Sequence, residues 1–452
     1  MKSIDPRSNE LIHQWPEHDA QEVERRLTLA SRAFADWKGW NFDERALVWR
    51  RVGDLIEERA DDLARTMVLE MGKVWAEAAA EVRKCAWVCR YFADNAEGFL
   101  EPEPVHTEAL KSMVRFDPLG LILGIMPWNF PYWQVFRFAA PALMAGNGML
   151  LKHAPNVQGC AQAIEQLCLD AGMPEGLLIN LRVSVDLVPG LIADERVAGV
   201  TLTGSERAGR AVAAQAGAAL KKTVMELGGS DPCIVLDDAD LDLAIDKIVT
   251  ARILTSGQTC CAAKRIIVTK GIAPEFTKRF VAAMEALKVG DPMVEGVRIG
   301  PLARPDLMDN LERQVQQSVV AGAKVLCGGE RVGELGNYYR PTVVTQVERG
   351  MPAWDEEVFG PVAALFVVED VDEAVRLAND NPYGLTAGLW TEDRALAEQL
   401  AERLEVGGVF VNRVPGSDPR LPFGGVKRSG YGRELGKAGI REFVNVKSVW
   451  IA

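Results

Sequence analysis

The spacing of apolar residues along the chain predicts a helical first part, followed by two regions in which strands and helices alternate. In residues 23–37 and 47–56, apolar side chains recur at steps of three and four, which is typical of helices that bury one face. The pattern changes at Leu119, and the unbroken apolar run Leu121–Met126 predicts a strand buried on both faces, as in a parallel sheet. From there to a helix that begins near Ser205, short apolar runs alternate with helical ones. This alternation predicts βαβ units and an α/β fold.

A second α/β region is predicted after Glu226. Its strands are short apolar runs separated by helical stretches, at residues 233–236, 265–268, 343–344 and 363–368. At the end of the chain, residues 443–450 alternate between apolar and polar side chains and predict a terminal strand whose exposed edge needs a partner. Because no repeat, low-complexity tract or long linker interrupts the chain, we expect the two α/β regions to pack closely.

Length, charge and hydropathy narrow the class of protein. The 452 residues exceed what one hydrophobic core normally organises, which predicts two or three domains. The 51 basic and 63 acidic side chains give a net charge of −12 without a long block of one sign, which argues against binding to nucleic acid. The N-terminus has no apolar signal core and no apolar run is long enough to span a bilayer, so we expect a cytoplasmic protein with no membrane partner.

The eight cysteines and four histidines form no recognisable disulfide or metal-binding framework. The cysteines are few for this length and irregularly spaced, so we expect reduced thiols, with Cys85, Cys89, Cys160 and Cys168 in the core. No histidine stands near a second cysteine or a carboxylate cluster at ligand spacing, and we therefore expect no metal site.

Three segments carry side chains suited to covalent chemistry on a carbonyl group. Cys260 ends the run Gly-Gln-Thr-Cys, Glu226 lies in Met-Glu-Leu-Gly-Gly, and Asn129 lies in Pro-Trp-Asn-Phe-Pro. Together they supply a thiol nucleophile, a carboxylate that can activate water, and an amide that can hold an oxyanion. Each is ambiguous alone, since a buried cysteine, a turn carboxylate and a turn asparagine are the ordinary interpretations. Their combination predicts oxidation of an aldehyde through a thiohemiacetal and a thioester.

Both the nucleophile and the base need a shifted pKa to work near neutral pH. A free thiol has a pKa of ~8.5, so Cys260 requires a local positive potential or a helix N-terminus. Burial among apolar residues would raise the pKa of Glu226 and make it a stronger base. Cys261 has two interpretations: a side chain without a catalytic role, or a redox partner that forms a vicinal disulfide with Cys260 and switches the enzyme off.

The chain lacks the common glycine-rich signatures of nucleotide binding. Gly-x-Gly-x-x-Gly does not follow any strand, and the P-loop pattern is absent. Instead, Thr203, Gly204 and Ser205 follow an apolar run that ends at Leu202, where a hydroxyl at a helix N-terminus could meet a pyrophosphate. A simple helix N-cap is the other interpretation.

Seven segments, in this order, together resemble the NAD(P)-dependent aldehyde dehydrogenase superfamily over nearly the whole chain. They are Pro127-Trp128-Asn129, Lys152, Thr203-Gly204-Ser205, Glu226-Leu227-Gly228-Gly229, Gly257-Gln258-Thr259-Cys260, residues 357–361 and residues 422–425. The resemblance implies an aldehyde dehydrogenase-like α/β fold. Its parts would be a Rossmann-like cofactor domain (1–100 and 118–228), an α/β catalytic domain (229–432) and a small β-element for oligomerisation (101–117 and 433–452). A homodimer or homotetramer is implied as well.

The resemblance also implies roles for individual side chains. Cys260 would attack the aldehyde, Asn129 and the Cys260 backbone N–H would stabilise the oxyanion, and Glu226 would activate water against the thioester. Lys152 and Glu357 would hold the two riboses of NAD or NADP. The full set of implied cofactor-binding residues is Trp128, Lys152, Pro155, Arg182, Thr203, Gly204, Ser205, Glu357 and Phe359.

Residues 151–156 and 417–430 look like those of the bacterial succinate-semialdehyde dehydrogenases within this superfamily. That likeness implies oxidation of succinate semialdehyde to succinate, with a substrate site formed by Arg137, Trp133 and Ser417. Arg137 would bind the distal carboxylate, because a guanidinium pairs with a carboxylate through two hydrogen bonds. The alternative is that Arg137 pairs with a structural acid.

Two departures from this group leave alternatives open. Leu254 occupies the position of a second carboxylate-binding arginine of some succinate-semialdehyde enzymes, so the alternative is a broader enzyme for glutarate semialdehyde or uncharged medium-chain aldehydes. Pro155 stands where strict NAD enzymes carry a ribose-binding acid, which removes repulsion against a 2′-phosphate and favours use of NADP beside NAD. A catalytically silent binding protein is disfavoured because nucleophile, base and amide are all present. A cysteine hydrolase is disfavoured because no histidine accompanies the thiol in a motif.

Overall fold

The computed structural model describes residues 1–452 as fifteen α-helices, twenty strands and one short 3-10 helix, Val185–Leu187. The helices α1–α15 span Ala20–Trp37, Phe42–Glu58, Ala60–Met71, Trp75–Leu100, Trp133–Met144, Gln158–Asp170, Val188–Ala193, Glu206–Ala218, Leu241–Ile253, Ala273–Glu285, Pro305–Val320, Pro352–Asp355, Val371–Asn379, Arg394–Arg403 and Gly436–Ile440. The strands β1–β20 span Lys2–Asp5, Glu10–Gln14, Glu103–Pro104, Lys111–Pro118, Leu121–Met126, Gly148–His153, Leu178–Asn180, Val197–Thr203, Lys222–Glu226, Pro232–Val235, Arg265–Thr269, Lys324–Cys327, Thr342–Thr345, Val362–Val368, Tyr383–Gly384, Thr386–Trp390, Gly408–Val411, Val426–Lys427, Gly430–Tyr431 and Val444–Ile451.

The N-terminal helices begin at polar caps and bury one face each. The side chains of Asp19 and Asn41 accept hydrogen bonds from backbone N–H groups in the first turns of α1 and α2, which otherwise have no partner. Trp37 of α1 and Trp49 of α2 are fully buried on the inner faces. The helical periodicity predicted for this part of the chain is therefore confirmed.

The first sheet positions the candidate catalytic segments along one edge. Its strand order is β19-β9-β8-β5-β6-β7, in which β9 to β7 run parallel and β19 pairs antiparallel with β9. The predicted strand β5 is almost wholly buried near the middle of the sheet. Carboxyl ends of parallel strands lie on the same edge, where ligands of open α/β sheets bind. The ends of β5, β8 and β9 therefore bring the segments of Asn129, Thr203 and Glu226 to one edge.

The second sheet supports the loop that carries Cys260. Its order is β12-β13-β14-β11-β10-β16-β17, parallel except for the edge strand β12. Two buried apolar clusters include side chains from this sheet. The four strands predicted for this region are confirmed as β10, β11, β13 and β14. The mixed α/β fold is confirmed with them, and Cys260 lies in the loop that precedes β11.

A small antiparallel sheet contains the end of the chain. Its order is β20-β4-β3, and β20 pairs along its whole length with β4, from Val444 opposite Pro118 to Ile451 opposite Lys111. The predicted terminal strand is confirmed, and the partner of its edge is a strand of the same chain. The structure contains no helix that combines the length and the apolar character needed to cross a lipid bilayer.

An N-terminal hairpin precedes the predicted helices. β1 and β2 form an antiparallel pair ahead of α1, in a segment for which the sequence pattern made no prediction. All five residues of β2 are exposed, so the segment lacks the apolar alternation that normally indicates a strand. The expected core cysteines Cys85, Cys89, Cys160 and Cys168 are all buried and free.

Candidate active site

The loop between α9 and β11 holds Cys260 in place through an unusual backbone conformation. Thr255, Ser256 and Gly257 have positive φ angles of 57°, 54° and 76°. Residues with a side chain rarely adopt this region, so two of them in succession indicate a backbone held by its surroundings. The Thr255 N–H donates to the Glu77 carboxylate at 2.8 Å, and the Ser256 hydroxyl donates to a backbone carbonyl at 3.0 Å. These contacts fix the turn that leads to the thiol.

Asn129 is oriented by three hydrogen bonds in the loop after β5. It is 4% exposed, and its Nδ2 donates to the Gln258 carbonyl at 2.9 Å. Its Oδ1 accepts from Gln134 Nε2 at 3.1 Å, and its backbone carbonyl accepts from Lys73 Nζ at 2.7 Å. The amide therefore faces the loop of Cys260. An amide NH₂ group has two hydrogens, so one donor remains for an oxyanion.

Glu226 ends β9 as a buried carboxyl group without a hydrogen bond to Oε1. Burial raises its pKa well above the usual range, the nearby Glu434 carboxylate adds to this effect, and Arg137 opposes it. A Cβ at Gly424 would lie 2.6 Å from Glu226 Oε1, so glycine at that position leaves room for the carboxylate. Because Cys260 also acts on the Glu226 pKa, the thiol and the carboxyl share one electrostatic environment. A carboxyl group with a raised pKa suits a general base near neutral pH.

The Cys260 thiol is partly exposed, and its surroundings raise its pKa well above the usual value. A hydrogen bond with the Cys261 thiol and burial both raise the pKa of Cys260. The positive charges of Arg137 and Lys264 act in the opposite direction and favour the thiolate. These two side chains supply positive potential at Cys260, but it does not outweigh the effects of Cys261 and burial.

Cys260 lies where two cavities meet. One cavity of about 370 Å³ is lined by Cys261, Arg137 and residues of α4, and we call it the substrate cavity. The other, of about 340 Å³, is lined by Asn129 and the loops after β5 and β8, and we call it the cofactor cavity. Cys260 and Gln134 line both. A nucleophile in this position can contact a ligand from either side.

The cofactor cavity contains six of the nine predicted cofactor-binding residues. They are Trp128, Thr203, Gly204, Ser205, Glu357 and Phe359. Ser205 is also the N-cap of α8, because its Oγ accepts from the Ala208 N–H at 3.3 Å. The N-cap interpretation of Ser205 is thus confirmed, and the same residue borders the cavity.

Lys152, Pro155 and Arg182 lie outside the lining of the cofactor cavity. Lys152 is 7% exposed, and its Nζ contacts only the carbonyl of the next residue, at 3.4 Å. Burial lowers its pKa. Pro155 is exposed, and Arg182 donates to the Pro16 carbonyl at 3.0 Å and to Gln162 Oε1 at 3.3 Å. The role of these three residues in cofactor binding stays a prediction.

Lys264 connects the nucleophile loop to Glu357 and was not identified from the sequence. Its buried Nζ donates to the Cys260 carbonyl at 2.9 Å, to the Gly229 carbonyl at 2.5 Å and to Glu357 Oε1 at 2.5 Å. A lysine immediately before the fully buried strand β11 was the available signal, because such a charge needs partners inside the protein.

The substrate cavity brings together the three predicted substrate-binding residues. Trp133 Nε1 donates to Ser417 Oγ at 3.0 Å, and Arg137 lies in the wall. The Arg137 guanidinium also forms a buried ion pair with Glu434, as the alternative interpretation expected. Lys84 of α4 lines the same cavity and was not identified from the sequence. The binding of a substrate carboxylate by Arg137 stays a prediction.

Cys261 is 8% exposed and lines the substrate cavity next to Cys260. Both thiols are free. A vicinal disulfide between them stays a prediction. No group of three or more histidine, cysteine, aspartate or glutamate side chains is arranged to hold a metal ion.

A cysteine between two cavities, a buried carboxyl group and an oriented amide form the arrangement expected of a dehydrogenase that acts through a covalent thioester. In agreement, the profile of the aldehyde dehydrogenase family matches residues 1–449. The chain belongs to the aldehyde dehydrogenase family, and the resemblance noted in the sequence is confirmed.

The names of individual relatives are more specific than the family name. The chain is 50% identical over 450 residues to a probable succinate-semialdehyde dehydrogenase [NADP(+)] of Synechocystis sp., covering 100% of this chain and 99% of that protein. It is 50% identical over 448 residues to a succinate semialdehyde dehydrogenase [NAD(P)+] of Escherichia coli, covering 99% and 97%. Among solved structures, succinic semialdehyde dehydrogenase from Streptococcus pyogenes in complex with NADP+ matches with a TM-score of 0.97 and 36% identity, covering 100% and 99%.

Proposed function

We propose that this chain oxidises succinate semialdehyde to succinate with NAD+ or NADP+. The observation that carries the proposal is the position of Cys260 between a substrate cavity with cationic side chains, Lys84 and Arg137, and a cofactor cavity with Glu357. The relatives that share half of the sequence are named for the same aldehyde and for these dinucleotides, which supports the proposal.

The proposed reaction uses Cys260, Asn129 and Glu226 in turn. The Cys260 thiolate attacks the aldehyde carbon, and the Asn129 amide with the Cys260 backbone N–H donates to the oxyanion. When bound, NAD(P)+ supplies the acceptor for the hydride that leaves this carbon. Loss of the hydride leaves a thioester on Cys260. Glu226 then takes a proton from water, the oxygen attacks the thioester carbonyl, and the carboxylic acid leaves as the thiolate is restored.

Residues of the cofactor cavity, together with polar residues at the carboxyl end of β6, support binding of a dinucleotide. A Cβ at Gly228 would collide with the Glu357 carboxylate, so glycine at this position leaves room for that side chain in the cavity. The Asn156 amide is buried with both polar atoms unpartnered, and the buried Lys152 has no acid partner. Buried polar groups without partners are costly unless a ligand satisfies them. We therefore propose that Lys152 and Glu357 hold the riboses, with Trp128, Thr203, Gly204, Ser205 and Phe359 around the rest of the cofactor.

The neutral side chain at Pro155 predicts that NADP+ is accepted. Pro155→Glu would place a carboxylate beside the ribose 2′ position and repel a phosphate there. We expect kcat/KM for NADP+ to fall about tenfold or more relative to that for NAD+. Initial rates with each dinucleotide measure the ratio. Pro155→Gln is the neutral control, and an equal shift in both variants would contradict the proposed position of the 2′-phosphate.

Succinate semialdehyde is expected to be a better substrate than butanal, an uncharged aldehyde of the same chain length. A charge-assisted hydrogen bond contributes about 1.5–3 kcal/mol, so kcat/KM should be at least about tenfold greater for the carboxylated aldehyde. Initial rates of NAD(P)H formation with both aldehydes provide the test. Equal values of kcat/KM would overturn the proposed substrate.

A second candidate function is a broader aldehyde dehydrogenase for glutarate semialdehyde or uncharged medium-chain aldehydes. The observation that favours it is Leu254, which adds apolar surface to the substrate cavity. The same rate measurements extended to glutarate semialdehyde and hexanal distinguish the two candidates, because the second predicts no advantage for the four-carbon acid.

We further propose a homodimer or homotetramer that forms through the sheet of β3, β4 and β20. Val446, Trp450 and Ile451 are exposed on β20, and exposed apolar side chains on a sheet mark an interaction surface. The division into a cofactor domain (1–100 and 118–228), a catalytic domain (229–432) and an oligomerisation element (101–117 and 433–452) belongs to this proposal. A cytoplasmic location is also proposed, and the eight free cysteines support it.

A further inference from the structure

We infer that Lys84, supported by Ser417 and Trp133, binds the distal carboxylate of the aldehyde in the substrate cavity. This inference rests on the proposed function, since it assumes a carboxylated substrate. Lys84 lies on a helix and belongs to no motif that the sequence analysis identified.

Lys84 belongs to the face of α4 that forms one wall of the substrate cavity. Glu77, Glu81 and Lys84 are separated by four and three residues, so they lie on the same side of the helix. All three line the cavity, as does Cys260. An aldehyde bound with its carbonyl at Cys260 therefore shares its cavity with the Lys84 ammonium group.

The contacts of Lys84 leave part of its hydrogen-bonding capacity unused. Its Nζ donates to Ser417 Oγ at 3.1 Å and lies 4.1 Å from the centre of the Trp133 ring. Trp133 Nε1 donates to the same Ser417 Oγ at 3.0 Å. An ammonium group has three hydrogens, so two donors remain after the bond to Ser417. The indole and the hydroxyl hold the ammonium in one place, and a carboxylate can accept the remaining hydrogens.

The other charged side chains of the inner cavity wall already have partners. Glu81 is paired with Lys73, and Arg137 is paired with Glu434. The Glu77 carboxyl accepts the Thr255 N–H, and burial raises its pKa to about 7. Arg298 also lacks an acid partner, but it is exposed at the rim and donates to Thr250 Oγ1.

Lys84 is thus the cation of the inner wall that has no acid partner. A charge without a partner inside a protein is costly, and an anionic ligand removes that cost. Burial lowers the pKa of Lys84 to about 8, the nearby Cys261 and Glu81 oppose this shift, and Arg137 adds to it. A bound carboxylate would raise the pKa of Lys84, as Glu81 does, and would thereby favour the charged ammonium. Arg137 is paired with Glu434. In this inference its positive charge attracts the substrate carboxylate from a distance, and Lys84 makes the main contact.

The test compares two aldehydes in matched variants of the full chain. Lys84→Met keeps the length of the side chain and removes its charge, and Lys84→Arg restores the charge. Arg83→Met removes a positive charge from the exposed side of the same helix. We expect Lys84→Met to lower kcat/KM for succinate semialdehyde by about 10- to 100-fold, mainly through KM. The value of kcat/KM for butanal should change by less than about twofold. Lys84→Arg should recover most of the loss, and Arg83→Met should behave as wild type.

Inhibition by succinate measures binding of the carboxylate without turnover of succinate semialdehyde. With butanal as substrate, the inhibition constant of succinate should rise in Lys84→Met by the same factor as KM for succinate semialdehyde. A wild-type preference for succinate semialdehyde that survives in Lys84→Met would overturn the inference alone. An equal loss with both aldehydes would also overturn it, because that pattern indicates a structural role. If the wild type shows no preference for the acid, the proposed function fails, and the inference fails with it.

Discussion

Cys260→Ser is expected to abolish turnover, with kcat lowered by about 10⁴-fold or more. A hydroxyl has a much higher pKa than a thiol and is a weaker nucleophile, and neither Arg137 nor Lys264 can compensate for that difference. Initial rates of NAD(P)H formation at saturating substrate measure the loss. Mass spectrometry of wild-type enzyme quenched during turnover should locate the acyl group on the peptide that contains residue 260.

Cys261→Ser is the matched control for this variant. It removes the neighbouring thiol from the same loop and should keep kcat within about tenfold of the wild type, because Cys261 has no proposed bond to the substrate. Full turnover by Cys260→Ser, or an acyl adduct on another side chain, would contradict the proposed mechanism. Resistance of Cys261→Ser to reversible inactivation by peroxide would support the predicted disulfide.

Glu226→Gln is expected to separate formation of the thioester from its hydrolysis. The amide cannot take a proton from water, so the steady-state rate should fall by about 10²- to 10⁴-fold. The first turnover should remain, because it requires Cys260 and Asn129 but not the base. Stopped-flow absorbance should therefore show one equivalent of NAD(P)H per active site, followed by a slow phase. Accumulation of a succinyl adduct on Cys260 would be visible by mass spectrometry.

The pH dependence of the slow step provides the control for Glu226. Since burial and Glu434 raise the Glu226 pKa, the carboxyl is protonated below that value and becomes a base as the pH rises. Hydrolysis of the thioester should therefore accelerate with pH in the wild type and stay nearly flat in Glu226→Gln. Glu434→Gln removes the repulsion and should move the wild-type profile to lower pH. Absence of a burst in Glu226→Gln, or a pH profile in Glu226→Gln like that of the wild type, would count against Glu226 as the base.

Much of the fold could be predicted because the parallel strands are buried on both faces. β5 and β10 are apolar along nearly their whole length, and β6 and β11 each contain three successive apolar residues, so each strand stands out as an apolar run. β2 escaped prediction because all its residues are exposed and only pairing with β1 makes it a strand. The apolar pattern of the sequence therefore identifies buried strands and misses an exposed strand that is held only by pairing with one other strand.

The site was predictable in its chemistry and less so in its electrostatics. Cys260, Glu226 and Asn129 could be identified because their residue types are unusual in combination. Lys84 and Lys264 could not, since a lysine on a helix or beside a strand normally faces solvent. Their importance follows from tertiary contacts, Lys84 with Ser417 on a distant loop and Lys264 with Glu357. The position of Lys264 before the buried strand β11 indicates that its charge needs a partner, but the local sequence identifies neither that partner nor the contact of Lys84 with Ser417.

The division of the site into two cavities that share only Cys260 and Gln134 has an evolutionary consequence. In the proposed function, α4 and α5 contribute to the wall that contacts the aldehyde, whereas the loops after β5 and β8 contribute to the wall that contacts the dinucleotide. A mutation on one wall can alter selectivity there and leave the other intact. Descendants of such a scaffold can therefore exchange coenzymes and diversify their carbon skeletons along independent routes.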